Sequence, residues 1–88
     1  MGLTKSLARE LGGKNIRVNS IAPGMIWTEK QIERAKADDP AKFQSYLDRQ
    51  CIKHLLEPAD IARLALWLAS AESRHASGQT YILDGGVV

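Results

Sequence analysis

The sequence contains one cysteine, Cys51, so it has no internal disulfide and no cysteine-based metal site. No apolar run approaches the roughly 20 residues that a membrane-spanning helix needs, and no leader-like segment follows Met1. The net charge is only +2 and the basic residues are scattered, which argues against nucleic-acid binding. These absences predict a protein of the reducing cytoplasm with neither a membrane nor a nucleic-acid partner.

Motifs for phosphate and metal binding are also absent from the sequence. No G-x-G-x-x-G phosphate loop occurs, and the glycines at 12–13 follow a helical pattern, where they serve to end the helix through a positive φ. The two histidines, His54 and His75, have no partner at a spacing typical of metal ligands. No metal site is therefore predicted, and Cys51 is interpreted as a small apolar residue at a helix end.

Hydrophobic periodicity places six elements along the chain. Helices are predicted over residues 2–11, 28–37, 39–51 and 58–69, and strands over residues 16–22 and 79–83. Thr28 and Gln31 fit a capping box at the start of the second helix, and Pro23 ends the first strand because proline cannot donate to a ladder. The element order predicts an α/β fold whose two strands pair in parallel.

Two of these elements are predicted to be deeply buried. The helix over 58–69 is apolar around much of its circumference, which is typical of a helix covered on more than one side. The run from Tyr81 to Leu83 is apolar without alternation, as in parallel strands that are covered on both faces. A two-stranded sheet is a poor free-standing unit, so one edge of the first strand is expected to need a partner.

The motifs at 16–24 and 77–86 carry a family resemblance. The first reads IRVNSIAPG and is followed by Thr28, and the second reads SGQTYILDGG. Between them stands the PADIARLALWLAS segment, and LTKSLAREL precedes them all. In this order and spacing, the chain resembles the C-terminal third of a short-chain dehydrogenase/reductase. The resemblance implies that residues 1–88 form the C-terminal part of one NAD(P)-binding, doubly wound Rossmann-type domain.

The resemblance also implies a cofactor site for NAD or NADP at the end of the first strand. Pro23 and Gly24 would shape the turn beside the nicotinamide ring, where glycine lets a backbone approach a flat ligand. Ile26 would offer its backbone N–H and C=O to the ring carboxamide, and Thr28 would hydrogen-bond the cofactor. Alternatively, Thr28 is only a helix cap and the Pro-Gly pair only an ordinary turn.

Residues 27–56, which we call the lid, would close over an alcohol or carbonyl substrate in this family. The sequence is weakly similar here to the aldose dehydrogenase branch, which makes a sugar one option. Trp27 would stack on such a substrate or simply pack as an apolar residue of the lid. Gln31 would hydrogen-bond sugar hydroxyls or remain a solvated helix residue.

The family's catalytic serine and Tyr-x-x-x-Lys pair have no counterpart in these 88 residues. Tyr46 and Tyr81 are not followed by a lysine four residues later, and no tyrosine stands four residues before Lys5. No catalytic residue is therefore predicted, and the chain alone is expected to be inactive. The alternative is an inert binding or assembly module that reuses the dehydrogenase scaffold. Family members are usually tetramers, so self-association is expected in either case.

Overall fold

A computed structural model describes residues 2–87 of the chain. Its helices are α1 (Gly2–Leu11), α2 (Glu29–Asp38), α3 (Pro40–Asp48) and α4 (Pro58–Ala69), and its strands are β1 (Ser20–Pro23) and β2 (Thr80–Leu83). Short 3-10 turns follow α1 at Gly12–Lys14 and α4 at Ala71–Ser73. The predicted α/β order is confirmed, and every predicted helix and strand is present.

The two strands pair in parallel, as predicted. Ser20 stands opposite Thr80 and Pro23 opposite Leu83, so both strands end at the same edge of the sheet. The side chains of Ser20 and Thr80 share a hydrogen bond of 2.8 Å between their hydroxyl oxygens. The turns that follow the two strands are therefore neighbours, and this is where open α/β folds bind ligands.

The predicted limits of β1 are wrong at both ends. Residues 16–19 do not join the ladder, because Val18 and Asn19 bond instead to the loop before β2: the Val18 C=O accepts from the Gly78 N–H at 2.7 Å. At the other end, Pro23 belongs to the strand. The N–H groups of Ser20 and Gly24 both donate to β2. Because N–H groups alternate between the two edges of a strand, an N–H at Pro23 would point to the opposite, unpaired edge, so proline costs the ladder no hydrogen bond.

The first helix ends at Leu11 as predicted, but not through a positive φ at Gly12 or Gly13. The chain continues through the 3-10 turn and reverses at Asn15, whose φ is 61°. Asparagine tolerates the left-handed region better than other residues with a side chain, so it replaces glycine here. Arg17 then ties the following segment to the end of α4, with hydrogen bonds to carbonyls of Ser70, Ser73 and Ala76.

The caps of the lid helices form as predicted. Thr28 and Gln31 make a reciprocal capping box at α2, while the Asp39 carboxylate accepts from the Lys42 N–H and Pro40 opens α3. Cys51 does not lie at the end of α3, since the helix ends at Asp48 and Cys51 is exposed in the segment beyond it. The interpretation of Cys51 as a helix-end residue is therefore wrong.

The core of the described residues is small and lies in the lid rather than around the sheet. Its buried apolar side chains are Trp27, Phe43 and Leu56, which keep 7–8% exposure. No residue of α4 is buried, and Leu66 on that helix is 73% exposed. Ile82 in β2 is 70% exposed. The predicted burial of α4 and of β2 on both sides is wrong for residues 2–87, because two strands provide too little surface to cover them.

Candidate functional site

The candidate site begins where β1 ends, at Pro23 and Gly24. Pro23 is exposed, while the Gly24 N–H donates to the Leu83 C=O at 2.9 Å and extends the ladder by one bond. A Cβ placed on Gly24 would lie 2.9 Å from the Cβ and 3.1 Å from the Cα of Asp84. The absence of a side chain at Gly24 is thus required by the neighbouring turn, whatever approaches it from outside.

Ile26 lies in an extended segment that pairs with the far end of the lid. It forms a parallel bridge with Leu56, made by the Trp27 N–H donating to the Leu56 C=O at 2.8 Å. In an extended chain, the N–H and C=O of one residue point to the same edge, and those of the next residue point to the opposite edge. The backbone groups of Ile26 therefore point away from Leu56.

Neither the N–H nor the C=O of Ile26 has a hydrogen-bond partner among residues 2–87. Ile26 is half-buried, and its unpartnered donor and acceptor lie side by side at one edge of the extended segment. A primary carboxamide carries one C=O acceptor and an NH₂ donor, which complement this pair. The residues present therefore fit the carboxamide of a nicotinamide ring.

Thr28 is the N-cap of α2 and lies on the exposed side of the same segment. Its Oγ1 accepts from the Gln31 N–H at 3.3 Å, and its own N–H donates to the Gln31 Oε1 at 3.1 Å. The hydroxyl hydrogen of Thr28 has no acceptor in the described part of the chain. The predicted capping role is therefore present, and it leaves the hydroxyl free to donate to a second group.

Trp27 packs inside the lid. It is 7% exposed, and its ring makes edge-to-face contacts with Phe43 and Tyr46 at centroid distances of 5.2 and 5.7 Å. Its indole N–H is buried and has no partner within residues 2–87. It therefore packs as an apolar residue of the lid, and it also lines the cavity described next.

An open cavity of about 410 Å³ lies between α2, α3 and the segment that precedes α2; we call it the lid hollow. Its walls are mainly apolar, with polar side chains toward α2 and the start of α3. The lining residues are Met25, Ile26, Trp27, Gln31, Ala35, Asp38, Asp39, Lys42, Phe43 and Tyr46. The structure thus brings Ile26, Trp27 and Gln31 together at one cavity, whereas Pro23, Gly24 and Thr28 do not line it.

Two residues that the sequence analysis did not single out help to shape the candidate site. Leu56 holds Ile26 in its extended form, and Asp84 abuts Gly24 while its carboxylate accepts from the Gly86 N–H at 2.8 Å. The Asp-Gly-Gly motif signals a turn after β2, but its contact with Gly24 depends on the strand register. The sequence gives no comparable signal for Leu56, which lies in a stretch predicted to be irregular.

Residues 2–87 contain no cluster of three or more histidine, cysteine or acidic side chains that could hold a metal ion. Within the same described range, no helix is long and apolar enough to cross a membrane.

Two parallel strands that end in adjacent turns are a feature of open α/β proteins, which bind ligands at the carboxyl ends of their strands. The family model described as enoyl-(acyl carrier protein) reductase matches residues 1–88. The chain belongs to the short-chain dehydrogenase/reductase family, whose cofactor is NAD or NADP.

Two curated relatives illustrate this membership. The chain is 47% identical over 88 residues to a probable galactose dehydrogenase of Rhizobium meliloti, covering 99% of the chain and 33% of that relative. It is 40% identical over 89 residues to the 2-keto-3-deoxy-L-fuconate dehydrogenase of Xanthomonas campestris, covering 98% of the chain and 30% of that relative. The chain spans about a third of the length of the curated relatives it matches.

Solved structures show the same relationship. A hydroxysteroid dehydrogenase from Escherichia coli superimposes with a TM-score of 0.85 at 40% identity, over 99% of this chain and 35% of that one. A 4-hydroxyisoleucine dehydrogenase complexed with NADH gives a TM-score of 0.82 at 35% identity. The match again covers 99% of this chain and 35% of that one. The fold is therefore that of about one third of a Rossmann-type short-chain dehydrogenase.

Proposed function

We propose that residues 1–88 are the C-terminal part of an NAD(P)-dependent oxidoreductase and supply its nicotinamide-binding turn. The observation that carries this proposal is the pair of unpartnered backbone groups on Ile26. In the proposed site the Ile26 N–H donates to the carboxamide oxygen, and the Ile26 C=O accepts from the carboxamide NH₂. Thr28 donates its hydroxyl hydrogen to a further acceptor on the cofactor, and Pro23 and Gly24 form the turn.

When bound, the nicotinamide cofactor supplies hydride transfer to or from an alcohol or carbonyl carbon. The contribution of this chain is to orient the ring, because holding the carboxamide at Ile26 selects which face of the ring meets the substrate. The lid borders the substrate position, and Trp27 and Gln31 are its proposed contacts. A sugar is the substrate class that the galactose and fuconate dehydrogenase relatives favour.

The chain is proposed to be inactive alone, because its 88 residues contain no Tyr-x-x-x-Lys pair to transfer the proton. Its shape supports a role as part of a larger unit. The accessible surface is 6600 Å², whereas a compact protein of its mass exposes about 5,100 Å². Its radius of gyration is 16.3 Å, against about 12 Å for a compact domain of this length.

The extra exposed surface also favours the second candidate function, an assembly module. An excess of roughly 1,500 Å² on one chain is about twice the area that each partner buries in a standard protein interface. The exposed side chains of Leu66 and Ile82 and the free edge of β1 are the surfaces that a companion segment or a second copy would cover. This proposal includes self-association of the chain. It also includes a cytoplasmic location, because a sequence with a single cysteine and no internal disulfide is typical of proteins in the reducing cytoplasm.

Two experiments separate these functions. Turnover assays of the purified chain with NAD and NADP and a panel of alcohols and sugars should show no activity; robust turnover would overturn the proposed inactivity. Titration of the ¹⁵N-labelled chain with millimolar NADH should shift the amide signals of Ile26 and Thr28. A chain that associates but shows no NADH-dependent shift would favour the assembly module.

A further inference from the structure

We infer that Gln31 is a positioning residue that fixes the Thr28 hydroxyl as a hydrogen-bond donor toward the cofactor. The inference deepens the proposed function and rests on it. The hydrogen bond that Thr28 Oγ1 accepts from the Gln31 N–H fixes one lone pair of the hydroxyl. The bond from the Thr28 N–H to the Gln31 Oε1 holds the backbone at φ −90° and ψ 161°.

These two bonds determine which atom of Thr28 is available. A hydroxyl has one hydrogen and two lone pairs, and its rotamer decides where they point. With one lone pair held by the Gln31 N–H, the hydroxyl hydrogen points away from that N–H and is available to a group outside the cap. Ile26 stands two residues earlier in the same extended segment, about 7 Å along the chain, so one ligand can span its unpartnered backbone groups and that hydrogen.

The side chain of Gln31 is what makes this arrangement reciprocal. Its backbone N–H would cap Thr28 whatever its side chain, but only a side-chain acceptor at this position can also bind the Thr28 N–H. Gln31 lines the lid hollow with the rest of its side chain, which gives it a place beside both proposed ligands. Its carbonyl oxygen is committed to Thr28, so only its NH₂ remains for a substrate.

The inference is tested with two variants of Gln31 and one matched control variant. Gln31→Ala removes the acceptor, Gln31→Glu keeps one, and Gln44→Ala removes an equally exposed glutamine whose NH₂ bonds to Asp48 at 2.9 Å in α3. We expect Gln31→Ala to weaken NADH binding about three- to tenfold, the effect of one misaligned hydrogen bond. Gln31→Glu and Gln44→Ala should bind NADH like the parent chain.

A double-mutant cycle separates positioning from a general structural role. If Gln31 acts through the Thr28 hydroxyl, Gln31→Ala should have no further effect on NADH affinity once Thr28→Ala is present. An equal loss in both backgrounds would mean that Gln31 merely stabilises α2, and would overturn the inference. Binding by Gln31→Ala equal to that of the parent would overturn it as well.

A measurement without cofactor keeps this inference distinct from the proposed function. Three-bond couplings to the Thr28 methyl carbon report its χ1 in the free chain. One fixed rotamer in the parent and in Gln31→Glu, and an averaged one in Gln31→Ala, would support positioning even if no NADH-dependent shift is seen at Ile26. Identical couplings in all three chains would contradict it, whatever the outcome of the NADH titration.

Discussion

Gly24 and Asp84, which each follow one of the two parallel strands, lie in direct contact. The contact leaves no space for a side chain on Gly24, because a Cβ there would be 2.9 Å from the Asp84 Cβ. The contact joins the turn proposed to face the nicotinamide to the turn that closes the second strand. Because both turns emerge from the same edge of the sheet, a change in one is expected to disturb the other.

Gly24→Ala should therefore destabilise the chain. The new methyl group meets the Cβ and backbone of Asp84, and relieving such overpacking costs about 1–3 kcal/mol. Urea unfolding followed by circular dichroism measures the effect. Gly13→Ala is the matched control, since a Cβ there has nothing within 4 Å and φ is not positive, so it should be neutral or slightly stabilising. Equal stability of the two variants would contradict the importance of the contact.

Arg17→Ala should loosen the connection between the segment before β1 and the end of α4. Its guanidinium donates to the carbonyls of Ser70, Ser73 and Ala76 and to the Ser73 hydroxyl at 2.9–3.3 Å. Losing bonds from a charged donor costs about 1.5–3 kcal/mol, again measured by urea unfolding.

The control for Arg17 is Arg63→Ala. The Arg63 side chain is 76% exposed and pairs only with Asp60 within the described residues, so its removal should change the free energy of unfolding by no more than about 0.5 kcal/mol. If the two arginine variants lose equal stability, the bonds of Arg17 do not hold the α4 end in place.

Trp27→Ala should unfold the lid preferentially. The indole is 7% exposed against Phe43 and Tyr46, and truncating a buried tryptophan costs about 3–5 kcal/mol. Trp27→Phe should be much milder, since it keeps an aromatic ring and removes the buried N–H that has no partner within residues 2–87. A loss of total helix content by circular dichroism and a lower free energy of unfolding in urea both report the loss.

Trp67 provides the comparison for Trp27. It is 42% exposed, so Trp67→Ala should cost less than Trp27→Ala, and Trp67→Phe leaves Trp27 as the sole source of indole fluorescence. In that background, the emission of Trp27 should be blue-shifted and should move to longer wavelength as the lid unfolds. An emission typical of solvated indole before unfolding would mean that the lid core is not formed.

Gln50→Ala should release the far end of the lid. Gln50 is 6% exposed, and its Nε2 donates to the carbonyls of Ile52 and His54 at 3.0 and 2.8 Å. Leaving these groups unpaired costs about 1–3 kcal/mol. Amide hydrogen exchange should then accelerate at Cys51 and Ile52, whose N–H groups donate to Gly86 and Gly85. Unchanged exchange there would show that Gln50 does not anchor the lid.

Local signals in the sequence predict most of the fold. The capping box of Thr28 and Gln31, the Asp39–Pro40 start of α3 and the two strands all follow from residue chemistry at short range. The errors concern long-range contacts. Residues 16–19 look like a strand but bond to the loop before β2, and the apolar circumference of α4 predicts a cover that the described residues do not provide.

The candidate site divides in the same way. The Pro-Gly turn and the position of Thr28 are visible in the sequence as motifs. The freedom of the Ile26 backbone depends on its bridge to Leu56, thirty positions away, and the contact between Gly24 and Asp84 depends on strand register. Neither contact produces a recognisable sequence motif in the segments that it joins, so both are visible only in the three-dimensional structure.

The most direct test of the proposed nicotinamide contact is the ¹⁵N spectrum of the chain during an NADH titration. The account predicts that the Ile26 and Thr28 amides shift together and saturably, while the amides of α1 remain unchanged. Because Ile26 has no partner for its N–H among residues 2–87, its signal should move the most. Saturable shifts that spare Ile26 and Thr28, or no shift at millimolar NADH, would contradict the account.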